Sequence, residues 1–169
     1  MSKSVLVVID VQNYFVNAHT KNLPKKIGNY LHKNKHKFDY IIFTKFVNKQ
    51  DSNFVRLLDW RKMFKSPQID IHDSLRQSAN NDNVFAKASY SAFKSKNFVN
   101  FLNRNKINEL YICGADTESC VLATALDAFD LGYKVKVLKN LCGSHHGKIF
   151  HKMGVGTIQK NLEKQEIIR

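Results

Sequence analysis

Short apolar runs rich in β-branched residues recur along the chain at Val5–Ile9, Tyr40–Phe43, Leu110–Cys113 and Val135–Leu138, with weaker ones at Asn83–Ala86 and Val155–Ile158. Each is nearly continuous rather than alternating, which is the pattern of a strand buried on both faces of a parallel sheet. Helical spacing fills the intervals. Leu23–His36 carries Ile27, Tyr30 and Leu31 on one face, Ser95–Asn105 carries Phe98, Phe101 and Leu102, and Glu118–Leu131 carries Val121, Leu122, Ala125, Leu126, Ala128 and Phe129. This alternation with short joins predicts an α/β fold of three layers, a doubly wound, mostly parallel six-stranded sheet with helices on both faces. Asn48–Asn83 breaks the rhythm: it lacks a clear strand and holds Trp60 and the Ser66–Pro67 turn. An excursion of that length predicts a substrate-covering insert. No repeat, low-complexity tract or linker divides the sequence, so residues 1–169 read as a single domain.

With 43% hydrophobic residues among 169, the chain can bury a full core, which excludes a disordered tail or a disulfide-held miniprotein. No stretch approaches the roughly 18 consecutive apolar residues of a membrane span. Val5–Ile9 is too short for a signal-peptide core and runs straight into Asp10. Cys113, Cys120 and Cys142 are an odd set without CxxC spacing, so a reducing, cytoplasmic location is expected rather than a disulfide framework or a zinc ribbon. A net charge of +13, from 27 basic and 14 acidic residues, raises nucleic acid as a partner. The excess is nearly all lysine, spread from Lys3 to Lys164 with no nucleic-acid motif, so a solvated surface is favoured over nucleic-acid binding.

In open α/β sheets ligands sit beyond the carboxyl ends of the strands. Three reactive groups stand at such ends. Asp10 closes an otherwise apolar strand and must be solvated, paired or functional. Lys87 follows Val84–Ala86. Cys120 lies just past Tyr111–Cys113, and if Thr117 caps a helix beginning at Glu118, the thiol falls in its first turn, where helix amides favour a thiolate and can hold an oxyanion. Each residue also has a plain structural reading: Asp10 as a cap or turn residue, Lys87 as a surface lysine, Cys120 as a small buried hydrophobe. Their joint occurrence fits an activated nucleophile with a proton-handling partner.

On these residues the sequence resembles the isochorismatase-like superfamily of cysteine hydrolases, which includes nicotinamidases and N-carbamoylsarcosine amidases. The resemblance runs through Asp10–x–Gln12–x–x–Phe15, the Lys87 segment with Ser91–Ala92–Phe93, Gly114–x–x–Thr117–x–x–Cys120–Val121, the Thr124–Ala128 helix and Gly132–Tyr133–x–Val135–x–Val137. It implies an Asp10–Lys87–Cys120 triad, a non-proline cis peptide at Ala115–Asp116, and an oxyanion hole of backbone amides near Asp116 and Cys120. It further implies a substrate pocket around Phe15, Phe46, Asn53, Trp60, Tyr90 and Thr117, with Asn53, Phe54, Leu58 and Trp60 in the covering segment. A small-molecule substrate and a homodimer or higher homo-oligomer are implied as well.

The chain also departs from the family. Nicotinamidases carry an Asp–x–His and a second His that bind a metal, whereas the corresponding stretch here, Phe46–Asn53, has no histidine. No metal or other cofactor is therefore expected. Where many relatives have Asp–Ala before a Ser, this chain has Asn140–Leu141–Cys142–Gly143–Ser144. His145, His146 and His151 read as helix-start or surface residues, because adjacent histidines cannot share one side of a regular element. Cys113 and Cys142 read as structural. The expected activity is hydrolysis of a C–N bond in a small amide through a cysteine thioester. The alternatives are a vinyl-ether hydrolase of the isochorismatase type, or a catalytically idle binding protein.

Overall fold

The computed structural model describes residues 3–162. Five strands, β1 (Lys3–Ile9), β2 (Tyr40–Phe46), β3 (Val84–Lys87), β4 (Ile107–Ala115) and β5 (Lys134–Gly143), form one parallel sheet in the order β3-β2-β1-β4-β5. The central strand explains its own sequence: Val5 through Ile9 are each 0% exposed, because β1 is flanked by β2 and β4 and covered on both faces. Helices α1 (Leu23–Asn34), α2 (Asn53–Leu58), α3 (Lys96–Arg104), α4 (Leu122–Asp130) and α5 (Lys148–Asn161) complete the fold. With the right-handed crossovers that parallel sheets favour, this strand order puts α1 on one face and α3 and α4 on the other. Their core residues are those of the expected apolar stripes: Ile27 and Leu31, Phe98 and Leu102, Ala125 and Ala128 are all buried.

The sixth strand expected at Val155–Ile158 is instead part of α5. Its inward residues, Gly154, Ile158 and the following Leu162, recur every four positions, so helical spacing overrides a short apolar window. Gly154 is what lets α5 approach: a Cβ there would lie 2.6 Å from Glu118 N. Gly154→Ala is expected to destabilise the fold by about 1–3 kcal/mol through overpacking. Urea denaturation checks this, and an unchanged midpoint would mean that α5 does not bear on that turn.

From β1 the chain steps outward to β2 and β3, then returns to β4 on the other side of β1. The β1/β4 boundary is thus the point where the winding reverses, and Asp10 and Gly114–Asp116 emerge there side by side. Gly114 is required by this closeness: its φ is +118°, and a Cβ would fall 2.1 Å from Ile9 O. The long excursion after β2 is tied down by two amides. Gln12 donates to Phe46 O and Ile69 O and accepts from Phe46 N, and Asn48 donates to Trp60 O and Lys62 O. Among the described residues no helix is long and apolar enough to cross a membrane.

Candidate active site

Asp10 leaves β1 in the left-handed region, with φ 47°. Thr44 on β2 holds it twice, accepting from Asp10 N at 3.2 Å and donating to Asp10 Oδ1 at 2.6 Å. Oδ2 is thereby turned towards Lys87 Nζ, 2.6 Å away, and both side chains are completely buried. The ammonium spends its remaining donors on Ser89 O at 2.7 Å and Cys120 Sγ at 3.5 Å. Acid, amine and thiol, separated by up to 110 positions in sequence (120 minus 10), are thus gathered around one nitrogen.

Cys120 sits in a π-helical turn, Thr117–Val121, entered through the cis peptide Ala115–Asp116. Thr117 is not the cap anticipated for this turn. It is fully buried, its hydroxyl hydrogen-bonds His151 Nδ1 at 2.8 Å, and the cap position belongs to Asp116, whose carbonyl accepts from Ser119 N and Val121 N. Nor is the thiol acidified by the turn. Burial pushes Cys120 well above the ordinary thiol range, the Lys87 ammonium opposes this, and the Asp10 carboxylate adds to the upward push. Lys87 is drawn down by burial, but the Asp10 carboxylate and the Cys120 sulfur outweigh that and hold the ammonium above its usual value. The thiol therefore holds its proton more tightly than a free cysteine does, beside the Asp10–Lys87 salt bridge.

Alkylation of Cys120 by iodoacetamide should therefore keep accelerating from neutral into alkaline solution. Cys113 and Cys142 are buried too but, unlike Cys120, do not line the cavity through which a reagent would enter, so they should react more slowly. Peptide mapping over a pH series checks both statements; a plateau below neutrality, or faster labelling of Cys113, would contradict them.

Cys120 opens on a cavity of about 320 Å³. Phe15, Phe46, Trp60 and Tyr90 line it, together with Tyr14, Phe54, Leu58, Asp116, Ser119, His145 and His146. The insert contributes an aromatic wall: Phe54 packs edge-on against Phe46 and Tyr90, each with ring centres 4.9 Å apart, and Trp60 meets Tyr14 at 5.7 Å. Of the expected pocket residues, Asn53 and Thr117 do not line the cavity. Asn53 is exposed at the start of α2, where Ser52 caps the helix, and Thr117 faces α5.

The histidine pair is the main departure from the sequence reading. His145 and His146 lie in the turn between β5 and α5, not in a regular element, and their rings sit 3.9 Å apart on the cavity wall. Asp116 receives His145 twice, from its backbone N at 2.8 Å and from its ring Nδ1. That hydrogen bond raises the His145 pKa, with burial pulling the other way; burial lowers that of His151. The adjacent pair was itself the signal that could have marked this wall, as was Tyr14 beside Phe15.

Ligand atoms of Asp116, His145 and His146 all lie within 4.8 Å of one another. At the stretch where nicotinamidases hold their metal, the donors do not fit one. Asn48 Nδ2 is bonded to two backbone carbonyls, and its Oδ1 accepts from Lys49 N and Ser52 Oγ.

Residues 4–165 match the family model described as the isochorismatase domain. The nicotinamidase of Escherichia coli is 40% identical over 60 residues, a stretch covering 32% of this chain and 28% of that protein. Matches to the curated relatives thus span about a third of their length or less. Among solved structures, the pyrazinamidase/nicotinamidase from Streptococcus mutans superposes with a TM-score of 0.82 at 23% identity, covering 99% of this chain and 100% of that one. N-carbamoylsarcosine amidase from Thermoplasma acidophilum gives a TM-score of 0.81 at 18% identity, covering 99% and 96%. These likenesses establish a shared fold. With a family model that accounts for nearly the whole sequence, the chain belongs to the isochorismatase family.

Proposed function

We propose that this protein hydrolyses a C–N bond of a small amide through a thioester on Cys120. The observation that carries the reading is the buried contact of Lys87 Nζ with both Asp10 Oδ2 and Cys120 Sγ at the edge of an aromatic-walled cavity. A neutral thiol is a weak nucleophile, so its proton must leave as sulfur attacks the carbonyl carbon, and Asp10 is the base at hand. Lys87 keeps its proton throughout and holds the charge that moves between carboxylate and sulfur. Backbone amides near Asp116 and Cys120 receive the oxyanion. The proton on Asp10 passes to the leaving nitrogen, the C–N bond breaks, and ammonia or an amine departs. Water then attacks the thioester, giving its proton to Asp10, and the acid is released as Cys120 regains its thiol.

Relatives named nicotinamidase and N-carbamoylsarcosine amidase support the amide class. Ammonia release from a panel of small amides, ureides and nitriles tests the reading. Turnover of at least one member that is lost in Cys120→Ala is expected; hydrolysis unaffected by that substitution would overturn it.

Two further properties belong to this reading. The three free cysteines fit a reducing, cytoplasmic setting. Self-association is supported by Ile149, Phe150 and Met153, which leave apolar surface exposed on α5. Light scattering at physiological salt should give a multiple of 19.5 kDa; a mass equal to one chain would refute it.

A further inference from the structure

The turn that follows β5 is held from three sides. Asn17 Nδ2 donates to His145 O at 2.7 Å, Asp116 Oδ1 accepts from His145 N, and Ser144 Oγ accepts from His146 N while donating to Glu118 Oε1 at 2.6 Å. The two imidazoles are thus presented to the cavity by a fixed backbone, next to a carboxylate that is only 4% exposed. A second carboxylate, Glu118, accepts from Ser144 in this turn, and its Oε2 atom is buried without a hydrogen-bond partner. Two imidazoles and a carboxylate converging within 4.8 Å are a donor set for a borderline divalent ion. This nearby, partly buried carboxylate offsets part of the ion's charge in an otherwise basic protein.

We propose that Asp116, His145 and His146 bind a divalent transition metal of the zinc class, and that the ion closes the catalytic pocket. An ion held there takes the place of the proton between Asp116 and His145, and its open coordination position is filled from the cavity. Because the same cavity gives access to Cys120, occupancy by the hydrated ion and entry of a substrate compete. The closing step rests on the reading of Cys120 as nucleophile; the binding step does not.

The test uses the full, untagged chain dialysed against zinc or cobalt. One metal per chain is expected, with a cobalt spectrum of tetrahedral nitrogen and oxygen ligation. Exposed His146 can be replaced without disturbing the Asp116–His145 bond, and His146→Ala should weaken binding by at least about 100-fold, since even outer-shell changes cost about 10–100-fold. Cys120→Ala should bind zinc as the native protein does. Failure to retain metal, equal retention by His146→Ala, or loss of binding in Cys120→Ala would each overturn the site, the last by assigning the ion to the thiol. Zinc should also slow iodoacetamide labelling of Cys120 in the native protein and not in His146→Ala. Stoichiometric binding without that protection would overturn the closure while leaving the proposed hydrolysis standing.

Discussion

Asp10→Asn is expected to lower turnover by about 10²–10⁴-fold, the usual contribution of a positioned acid–base group. The same change leaves the Lys87 ammonium buried without a counter-charge, and Lys87→Met leaves the carboxylate in the converse state. Both partners are completely buried, so each single variant should lose about 3–5 kcal/mol of stability. The double variant should recover much of that loss, because no isolated charge remains, yet stay inactive. Urea denaturation of the four proteins measures the coupling. Simple additivity of the two losses would show that the ion pair is not the unit described here, and near-native turnover in either single variant would remove that residue from the chemistry.

Cys120→Ser is expected to reduce turnover by at least about 10⁴-fold while changing stability little. A serine hydroxyl fits the same space, but the neighbours that assist a thiol give little help to a far less acidic alcohol. Circular dichroism should be native, and zinc binding at Asp116, His145 and His146 should persist. Ammonia release within tenfold of the native rate would exclude the thiol as nucleophile.

Much of this arrangement was legible in the sequence because it depends on position along strands. Val5–Ile9 can only be a doubly covered strand, so Asp10 must emerge at its carboxyl end, and the same logic delivers Lys87 after β3 and the Cys120 turn after β4. What escaped depends on three-dimensional surroundings. Val155–Ile158 looked like a strand because a four-residue window is too short to reveal the periodicity that continues through Gly154, Ile158 and Leu162. The depressed thiol pKa expected from a helix start was overridden by burial and by the Asp10 carboxylate. The family resemblance put Asn53 and Thr117 in the pocket, whereas one faces solvent and the other is engaged by His151. The rule that adjacent histidines diverge holds for helices and strands, and failed for a turn.

The proposed hydrolysis turns on a covalent intermediate on Cys120. With the fastest substrate from the amide panel, the protein is quenched in acid during turnover and its mass and proteolytic map are recorded. An added mass equal to the acyl part of that substrate is expected, carried by the peptide containing Cys120, removed by hydroxylamine and absent from Cys120→Ser. Steady turnover by the native protein with no adduct on Cys120, together with a Cys120→Ser protein that still releases ammonia at the native rate, would contradict it.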